Sequence, residues 1–266
     1  MPPAQPQPAR KPQWQGSAPK LQLPPKSPAD PSTGDDEDRY PDLGVPPMIT
    51  VHWKALTDSA PLLETRYADR DDVFVSSGLT IYYVDGSEER AIQPDVFVSF
   101  GSPNRSRRVW LAWEEGKFPD FVLEVASKST YRRDEREKRA IYERMGVAEY
   151  WQFDPTGEYL TPVLQGRRLN ATGAYELLPL ATTPEGGLRG VCQLLGLHVC
   201  ADGSRLRLFD PATGEFLLNH SEERHAHLEE RRASAEKDDT IAEERRARQA
   251  AEAELAELKR QVSRRS

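Results

Sequence analysis

The chain has 266 residues, with 43 acidic against 36 basic side chains and a formal net charge of −7. This balance argues against the basic surface of a nonspecific nucleic-acid coat but permits a local basic patch. No apolar run approaches the ~18 residues of a membrane-spanning helix, and the first residues lack the apolar region of a signal peptide. Two cysteines, Cys192 and Cys200, are too few for a disulfide scaffold. We therefore expect a cytoplasmic protein with reduced thiols.

Residues 1–47 differ in composition from the rest of the chain. They contain 13 of the 22 prolines, and an acidic run at Asp35–Asp38. Such a segment cannot bury enough apolar surface to offset the entropy lost on ordering. We therefore predict a disordered Pro-rich tail over residues 1–47, a globular domain over 48–218 and a charged helical tail over 219–266.

The middle of the chain has the pattern of one α/β domain. A helix is expected within Ile49–Tyr67, with Pro61 limiting it, and a second over Asp134–Met145, which Gly146 ends. Runs of β-branched and aromatic residues, bounded by turn residues, indicate strands. The predicted strands are Val73–Ser76, Thr80–Val84 (closed by a hairpin turn at Asp85-Gly86), Ile92–Phe100, Phe121–Ala126, Tyr150–Phe153, Glu158–Leu164, Tyr175–Leu180 and Leu206–Phe209.

The C-terminal segment has the composition of a long helix. Residues 219–266 contain 12 acidic and 11 basic side chains and neither Pro nor Gly. Ile241, Leu255 and Val262 are spaced by multiples of seven and Leu258 fits the d position, but polar residues occupy other core positions. Two alternatives remain open, a coiled-coil homodimer and a single solvated helix.

Two carboxylates stand on apolar strands. Asp95 follows Pro94 at the head of one strand, and Glu124 interrupts Phe121–Val125 in the middle of another. A carboxylate in such a run is costly unless it is paired, hydrogen-bonded or bound to a metal. If the two strands are neighbours, the carboxylates converge, and a hard cation such as Mg²⁺ relieves their repulsion. The structural alternative is that Glu124 pairs with an arginine or a backbone amide.

A basic segment follows the second carboxylate. Arg132 and Arg133 precede or begin a helix, where backbone N–H groups also favour phosphate. Together with Arg105, Arg107 and Arg108 they predict a phosphate-binding patch. The alternative is a solvated charged helix. Likewise, the spacing Asp134-x-x-Glu137 is that of a capping box, which would make Asp134 an N-cap residue.

The order of these pieces resembles the Uma-type (Uma-two) restriction endonuclease family of bacteria, which belongs to the PD-(D/E)xK nuclease superfamily. The resemblance runs from about Asp72 to Asp210. It implies a restriction-endonuclease-like fold, in which helices flank a central mixed β-sheet, and it implies DNA as the partner. Four ordered motifs carry it: Pro94–Val98, Pro119–Thr130, Asp134-x-x-x-Lys138-x-x-x-Tyr142 and Gly146–Pro155.

The resemblance also implies roles for individual residues. Asp95 and Glu124 match the metal-binding carboxylates, with Mg²⁺ or Mn²⁺ as the cofactor. The superfamily lysine normally lies two residues after the Glu, where this chain has Ala126. Lys138, in the Lys-x-x-x-Tyr pattern, and Lys128, at the strand exit, are the two candidates to replace it. Family members usually open with a helix that carries an acidic residue, for which Glu64 is the best match.

Two functions follow from these features. The first is a Mg²⁺-dependent DNA endonuclease whose catalytic set is Asp95, Glu124 and one of the two lysines, with Arg132 and Arg133 contacting DNA. The second is an interaction module that keeps the nuclease fold without its chemistry and acts through its tails. Ala126 at the usual lysine position favours the second. Metal binding distinguishes the two functions.

Overall fold

The computed structural model describes residues 50–265, so the tail predicted to be disordered, residues 1–47, lies outside the described residues. The chain divides into two compact units, one up to Leu217 and one from Leu218 onward. The first unit contains four helices and fourteen strands in its described part. The helices are α1 (Thr50–Arg66), α2 (Ala112–Glu115), α3 (Tyr131–Arg133) and α4 (Arg139–Met145), and a π-helical segment, Asp134–Lys138, joins α3 to α4. The strands are β1 (Val73–Ser77), β2 (Ile81–Tyr82), β3 (Ala91–Ile92), β4 (Val96–Phe100), β5 (Trp110–Leu111), β6 (Phe121–Val125), β7 (Glu149–Phe153), β8 (Leu164–Leu169), β9 (Tyr175–Leu177), β10 (Leu180–Thr182), β11 (Leu188–Cys192), β12 (Leu197–Asp202), β13 (Arg205–Asp210) and β14 (Glu215–Phe216).

A six-stranded mixed sheet forms the centre of this unit, in the order β1-β4-β6-β7-β8-β9. Only β6 and β7 run parallel, and the others pair antiparallel. The helical run from α3 to α4 connects β6 to β7, since parallel neighbours need a crossover. A three-stranded sheet, β3-β2-β5, includes the hairpin predicted at Gly86.

Side chains alternate between the two faces of the central sheet, as the two-residue period of a strand requires. Leu123 and Val125 of β6 pack with Leu56 and Leu63 of α1 in one buried cluster. Val122 packs on the opposite face with residues of α4 in a second cluster. Glu124 lies on the same face as Val122, so β6 directs this carboxylate toward the helical crossover.

Trp151 of β7 joins the central sheet to a five-stranded antiparallel sheet, β10-β11-β12-β13-β14. Its ring is fully buried and lies against two glycines. A Cβ at Gly166 of β8 would come within 2.7 Å of the ring, and one at Gly190 of β11 within 2.5 Å. Both positions therefore need glycine because the indole occupies the space of a side chain.

Several elements differ from the sequence predictions. The strand predicted over Tyr175–Leu180 is instead β9 and β10, in different sheets. Helix α1 continues through Pro61 because the buried Leu62 and Leu63 anchor its last turns. The strand predicted over Ile92–Phe100 is instead β3 and β4, in different sheets. The strand predicted over Glu158–Leu164 begins only at Leu164, because the Asp154 carboxylate accepts hydrogen bonds from the loop N–H groups before it.

The second unit is a single helix, α5 (His220–Arg265), of 46 residues. A capping box starts it: the Asn219 side chain accepts from the Glu222 N–H at 2.9 Å, and the Glu222 carboxylate accepts from the Asn219 N–H at 3.1 Å. Leu228 and Ile241 are exposed apolar residues on it. Among the helices of residues 50–265, none combines the length and apolar character needed to cross a membrane.

Candidate active site

Glu124 is the centre of a buried polar cluster on the helical side of the central sheet. Only 1% of its surface is exposed. Its Oε2 accepts a hydrogen bond from Lys138 Nζ at 2.8 Å, and its Oε1 accepts from the Tyr142 hydroxyl at 2.6 Å. Lys138 and Tyr142 are four residues apart on the crossover, so they reach the same carboxylate from one side.

Lys138 has two hydrogen-bond acceptors and a second carboxylate within ion-pair distance. Besides Glu124, its Nζ donates to the Gln93 carbonyl at 3.1 Å and lies 3.1 Å from Asp134 Oδ1. Asp134 and Lys138 are the first and last residues of the π-helical segment, and both are buried. A π-helical turn inside an α-helix is common at functional sites, and here it holds both side chains toward the sheet.

Asp95 lies directly before β4, which is the strand next to β6. Because Val96 pairs with Leu123, the antiparallel register brings Asp95 beside Glu124. Asp95 Oδ2 accepts a hydrogen bond from the Val125 N–H at 2.7 Å, and His52 Nε2 lies 3.9 Å from the same oxygen. The two strands are therefore neighbours, which is the condition under which the sequence predicted that the carboxylates converge.

Burial and charge act in opposite directions on these groups. Burial raises the pKa of Glu124 well above its ordinary value, and also that of Asp95, although Lys138 opposes both shifts. Burial alone would lower the pKa of Lys138, but the carboxylates of Glu124, Asp134 and Asp95 outweigh it and raise that pKa. The lysine is thus held as the charged ammonium.

The cluster has the donor chemistry of a site for a hard divalent cation. Asp95, Glu124 and Asp134 are three carboxylates against one ammonium, and neither oxygen of the buried Asp134 has a hydrogen-bond partner in the described chain. Within residues 50–265, no three His, Cys, Asp or Glu side chains are grouped so as to hold an ion. Asp95 and Glu124 are the two carboxylates of the cluster that could hold a cation, with Lys138 beside them.

The sequence model of the Uma2 family, described as "Putative restriction endonuclease", matches residues 40–189, which is more than half of the chain. The chain belongs to the Uma2 family. A solved structure described as "a putative nuclease belonging to DUF820 from Anabaena variabilis ATCC 29413" is 13% identical, with 52% of this chain and 75% of that chain covered and a TM-score of 0.38. No curated protein matches the chain. The family resemblance is confirmed, and so is the predicted α/β fold with helices beside a central mixed sheet.

The family's two candidate lysines lie in different surroundings. Lys138 is buried against Glu124, whereas Lys128 is exposed in the turn that follows β6. That strand ends at Val125, so Lys128 does not return to the strand face of Glu124. Lys128 instead lines a cleft of about 720 Å³ that also contains Asp95 and Lys138. The geometry favours Lys138 as the replacement for the lysine that is missing at position 126, where this chain has Ala126.

The arginines separate into two groups. Arg133 lines the cleft, and Arg132 donates to the Tyr131 hydroxyl at 2.8 Å. Arg105 and Arg107 both bind the Glu115 carboxylate, and the Arg107 side chain is only 2% exposed; Arg105 and Arg108 are exposed, and their part in a phosphate-binding patch stays a prediction. Arg107 also stacks on the Phe74 and Trp110 rings as part of the structural core of this region.

Two further predictions are revised. Asp134 is not an N-cap: Thr130 precedes α3, and Asp134 lies inside the helical run with its carboxylate buried near Lys138. On α1, Glu64 is exposed on the wall of the cleft, and burial raises its pKa. The residue of α1 that approaches Asp95 is His52, which sequence reasoning missed. The signal that could have found it is its position near the start of the front helix.

Proposed function

We propose that this protein is a divalent-metal-dependent endonuclease that hydrolyses DNA phosphodiester bonds. The observation that carries the proposal is the position of Lys138, buried 2.8 Å from Glu124 with Asp95 on the neighbouring strand. This arrangement supplies from the helix the lysine that Ala126 lacks. The family to which the chain belongs supports the nuclease class.

Asp95 and Glu124 are the residues that would hold Mg²⁺ or Mn²⁺. Bound there, such an ion polarises a phosphodiester and lowers the pKa of water. The chain's own groups prepare the site. The Val125 N–H orients Asp95, the Tyr142 hydroxyl orients Glu124, and Lys138 would supply a fixed positive charge to a phosphate bound beside Glu124.

DNA would enter through the cleft that contains Asp95 and Lys138. Lys128 and Arg133 line this cleft and are exposed, so they can contact backbone phosphates. Arg132 stacks at 5.5 Å on the Tyr131 ring next to this edge and would add a weaker contact. The local positive charge agrees with binding of a polyanion by a protein whose net charge is negative.

A second candidate function is an inactive nuclease-fold module that acts through its tails. One observation favours it: both oxygens of Glu124 already accept hydrogen bonds, from Lys138 and Tyr142. A carboxylate held in this way binds a cation only if one of these bonds lengthens. The two functions therefore differ in metal binding, which the module does not need.

Cleavage of supercoiled plasmid DNA by the purified protein tests the proposal. The reaction is run with Mg²⁺ or Mn²⁺, with EDTA, and with the Asp95→Asn variant. Nicking that requires the metal and disappears in the variant is the expected result. In parallel, titration calorimetry with Mn²⁺ measures binding to the intact protein and to Asp95→Asn. Mn²⁺ binding without cleavage would show a metal site whose substrate is not plasmid DNA. The absence of both Mn²⁺ binding and cleavage would reject the nuclease in favour of the module.

A further inference from the structure

An exposed tryptophan lies in the wall of the candidate active-site cleft. Trp53 on α1 exposes 53% of its surface, while the other tryptophans of the described chain, Trp110, Trp113 and Trp151, expose 8% or less. Leaving an indole in water forgoes the stabilisation that burial gives to large aromatic side chains. A large exposed apolar group inside a cleft therefore indicates a binding surface.

Other apolar residues line this wall, together with His52, Thr57 and Glu64 of the same helix. Leu56, Ala60 and Pro61 of α1 line the cleft beside Trp53, and Ile92 continues the apolar lining from β3. A site that bound only the sugar-phosphate backbone would need cationic and polar groups on every side, because phosphates remain solvated or paired with cations. This apolar wall fits a part of the substrate that carries little charge.

The other part of the lining is charged. Lys128 and Arg133 lie on the segment from the turn after β6 to α3, and Asp95 and Lys138 complete the site. Tyr159 also lines the cleft, where it stacks on Tyr131 with ring centroids 5.0 Å apart. One cleft thus presents an aromatic and apolar wall together with a cationic edge, the two surfaces that match the base and the phosphate of one nucleotide.

The size of the cleft agrees with this division. A volume of about 720 Å³ lies within the range of roughly 300–1,000 Å³ that holds ligands larger than a single phosphate group. A base inside a duplex has both faces covered by its neighbours, so it cannot stack on Trp53. A base can reach the wall only where the strand is unpaired or where the nucleotide is turned out of the helix.

We propose that Trp53 is a base-stacking residue, and that the substrate of this site is single-stranded or locally unpaired DNA rather than intact duplex. The inference rests on the proposed nuclease function for its setting, but it concerns binding and is independent of the metal. Trp53 supplies a stacking face that accepts any base. Lys128 and Arg133 hold the phosphates that flank that base. Specificity thereby lies in strand state and not in sequence.

The test measures binding without cleavage. Fluorescence anisotropy in EDTA follows one labelled oligonucleotide, first as a single strand and then annealed to its complement, with the full chain and its Trp53→Ala and Trp53→Phe variants. Stacking on an aromatic residue is worth about 5- to 150-fold in affinity. We expect Trp53→Ala to weaken single-strand binding by this factor, to change duplex binding less than about twofold, and Trp53→Phe to retain most of the affinity.

A matched control is Leu177→Ala, which removes an exposed apolar side chain on β9, outside the cleft lining. It should leave both affinities unchanged. A second readout is the quenching of tryptophan fluorescence by the unlabelled single strand, which should shrink in Trp53→Phe. Equal affinity of the intact protein for both strand states, or no loss in Trp53→Ala, would overturn the inference.

The two proposals fail in different ways. If cleavage depends on the metal but Trp53→Ala leaves single-strand affinity unchanged, the nuclease function stands and the stacking role of Trp53 is rejected. Single-strand binding that depends on Trp53, without cleavage under any metal, would keep the stacking residue and reject the nuclease.

Discussion

The ammonium of Lys138 lies 2.8 Å from the carboxylate of Glu124 in a region that water hardly reaches, since the two side chains expose 9% and 1%. The lysine belongs to the helical crossover and the glutamate to the central sheet, so the pair ties the two layers together. The same contact replaces, from another element, the lysine that would normally follow Glu124 in the strand. Structure and proposed chemistry therefore depend on one pair of residues.

Removing either partner should have unequal effects on stability. Lys138→Met leaves the buried Glu124 and Asp134, and the partly buried Asp95, without their cation and should lower the free energy of unfolding by about 3–5 kcal/mol. Glu124→Gln keeps an acceptor for Tyr142 and leaves Lys138 near Asp134, so it should cost less and keep the fold. It should also abolish cleavage. Urea denaturation of both variants and of the double variant measures the coupling.

If the double variant loses as much free energy of unfolding as the two single variants together, the two side chains do not interact in solution. The circular dichroism spectrum at neutral pH serves as the folding control for Glu124→Gln. If that variant is unfolded, Glu124 is needed for structure, and its loss of cleavage says nothing about chemistry.

The two lysines provide a matched pair for activity. Lys138→Met should reduce metal-dependent cleavage by at least about 100-fold, since a fixed charge beside the phosphate typically contributes this much. Lys128→Met, at an exposed position, should reduce affinity for DNA by less than about tenfold and leave the maximal rate nearly unchanged. Initial rates at saturating DNA measure both. Normal rates in both variants would exclude either lysine from catalysis.

The sequence predicted the main parts of this site because they are local. Asp95 stands at a strand start and Glu124 within an apolar run, and strand alternation placed the glutamate on the face of Val122. The sequence left the choice of lysine open, since only the π-helical segment decides which side chains of the crossover turn inward. His52 was missed because its approach to Asp95 depends on how α1 packs across the sheet.

The fold shows the same division between local and distant information. The turn signals at Gly86 and Gly146 were sufficient to predict a hairpin and a helix end, where both glycines have positive φ. The prediction that Pro61 limits α1 was wrong because the unfavourable local propensity of proline is outweighed by the stabilisation from burying Leu62 and Leu63. The loop before β8 could not be foreseen, since a side chain, Asp154, satisfies the N–H groups that a strand would otherwise pair.

Asp154 should stabilise this loop in a pH-dependent way. Burial would raise its pKa, but hydrogen bonds from Tyr159, Thr156 and Leu160 outweigh burial and hold the pKa below its ordinary value. A lowered pKa gives stability that is present above the unfolded-state value near pH 4 and is lost as pH falls through the folded-state value. Asp154→Ala should cost about 3 kcal/mol at pH 7, and progressively less as pH drops below about 4.

Urea denaturation at several pH values between 2.5 and 7, in roughly half-unit steps, measures this difference. Glu158→Gln, an exposed change in the same loop, should alter stability by less than about 0.5 kcal/mol. A deficit of Asp154→Ala that stays constant across this range would mean that the carboxylate does not act through its charge.

Trp151 should be sensitive to any added volume on either side. Gly190→Ala places a methyl group 2.5 Å from the indole and should lower the free energy of unfolding by about 1–3 kcal/mol. Trp151→Phe removes the crowding ring, so the double variant should lose less than the sum of the two single changes. Thermal and urea unfolding of the three variants test this, and strict additivity would show that the ring moves aside at no cost.

The long helix α5 leads to a prediction about assembly. Its 46 residues span about 70 Å, and a helix of this length with mixed charges remains stable either by pairing or by its own side-chain pairs. Ile241 exposes 47% of its surface in the single chain and begins the heptad series that Leu255 and Val262 continue in the sequence. If this series forms a coiled-coil seam, Ile241→Lys should reduce a dimer to monomers, as should removal of residues 219–266.

Light scattering coupled to size exclusion measures the mass, with Ile241→Leu as the conservative control. A wild-type chain that is already monomeric at about 100 μM would instead identify α5 as a solvated single helix, because an isolated coiled-coil dimer of this length should be assembled at that concentration.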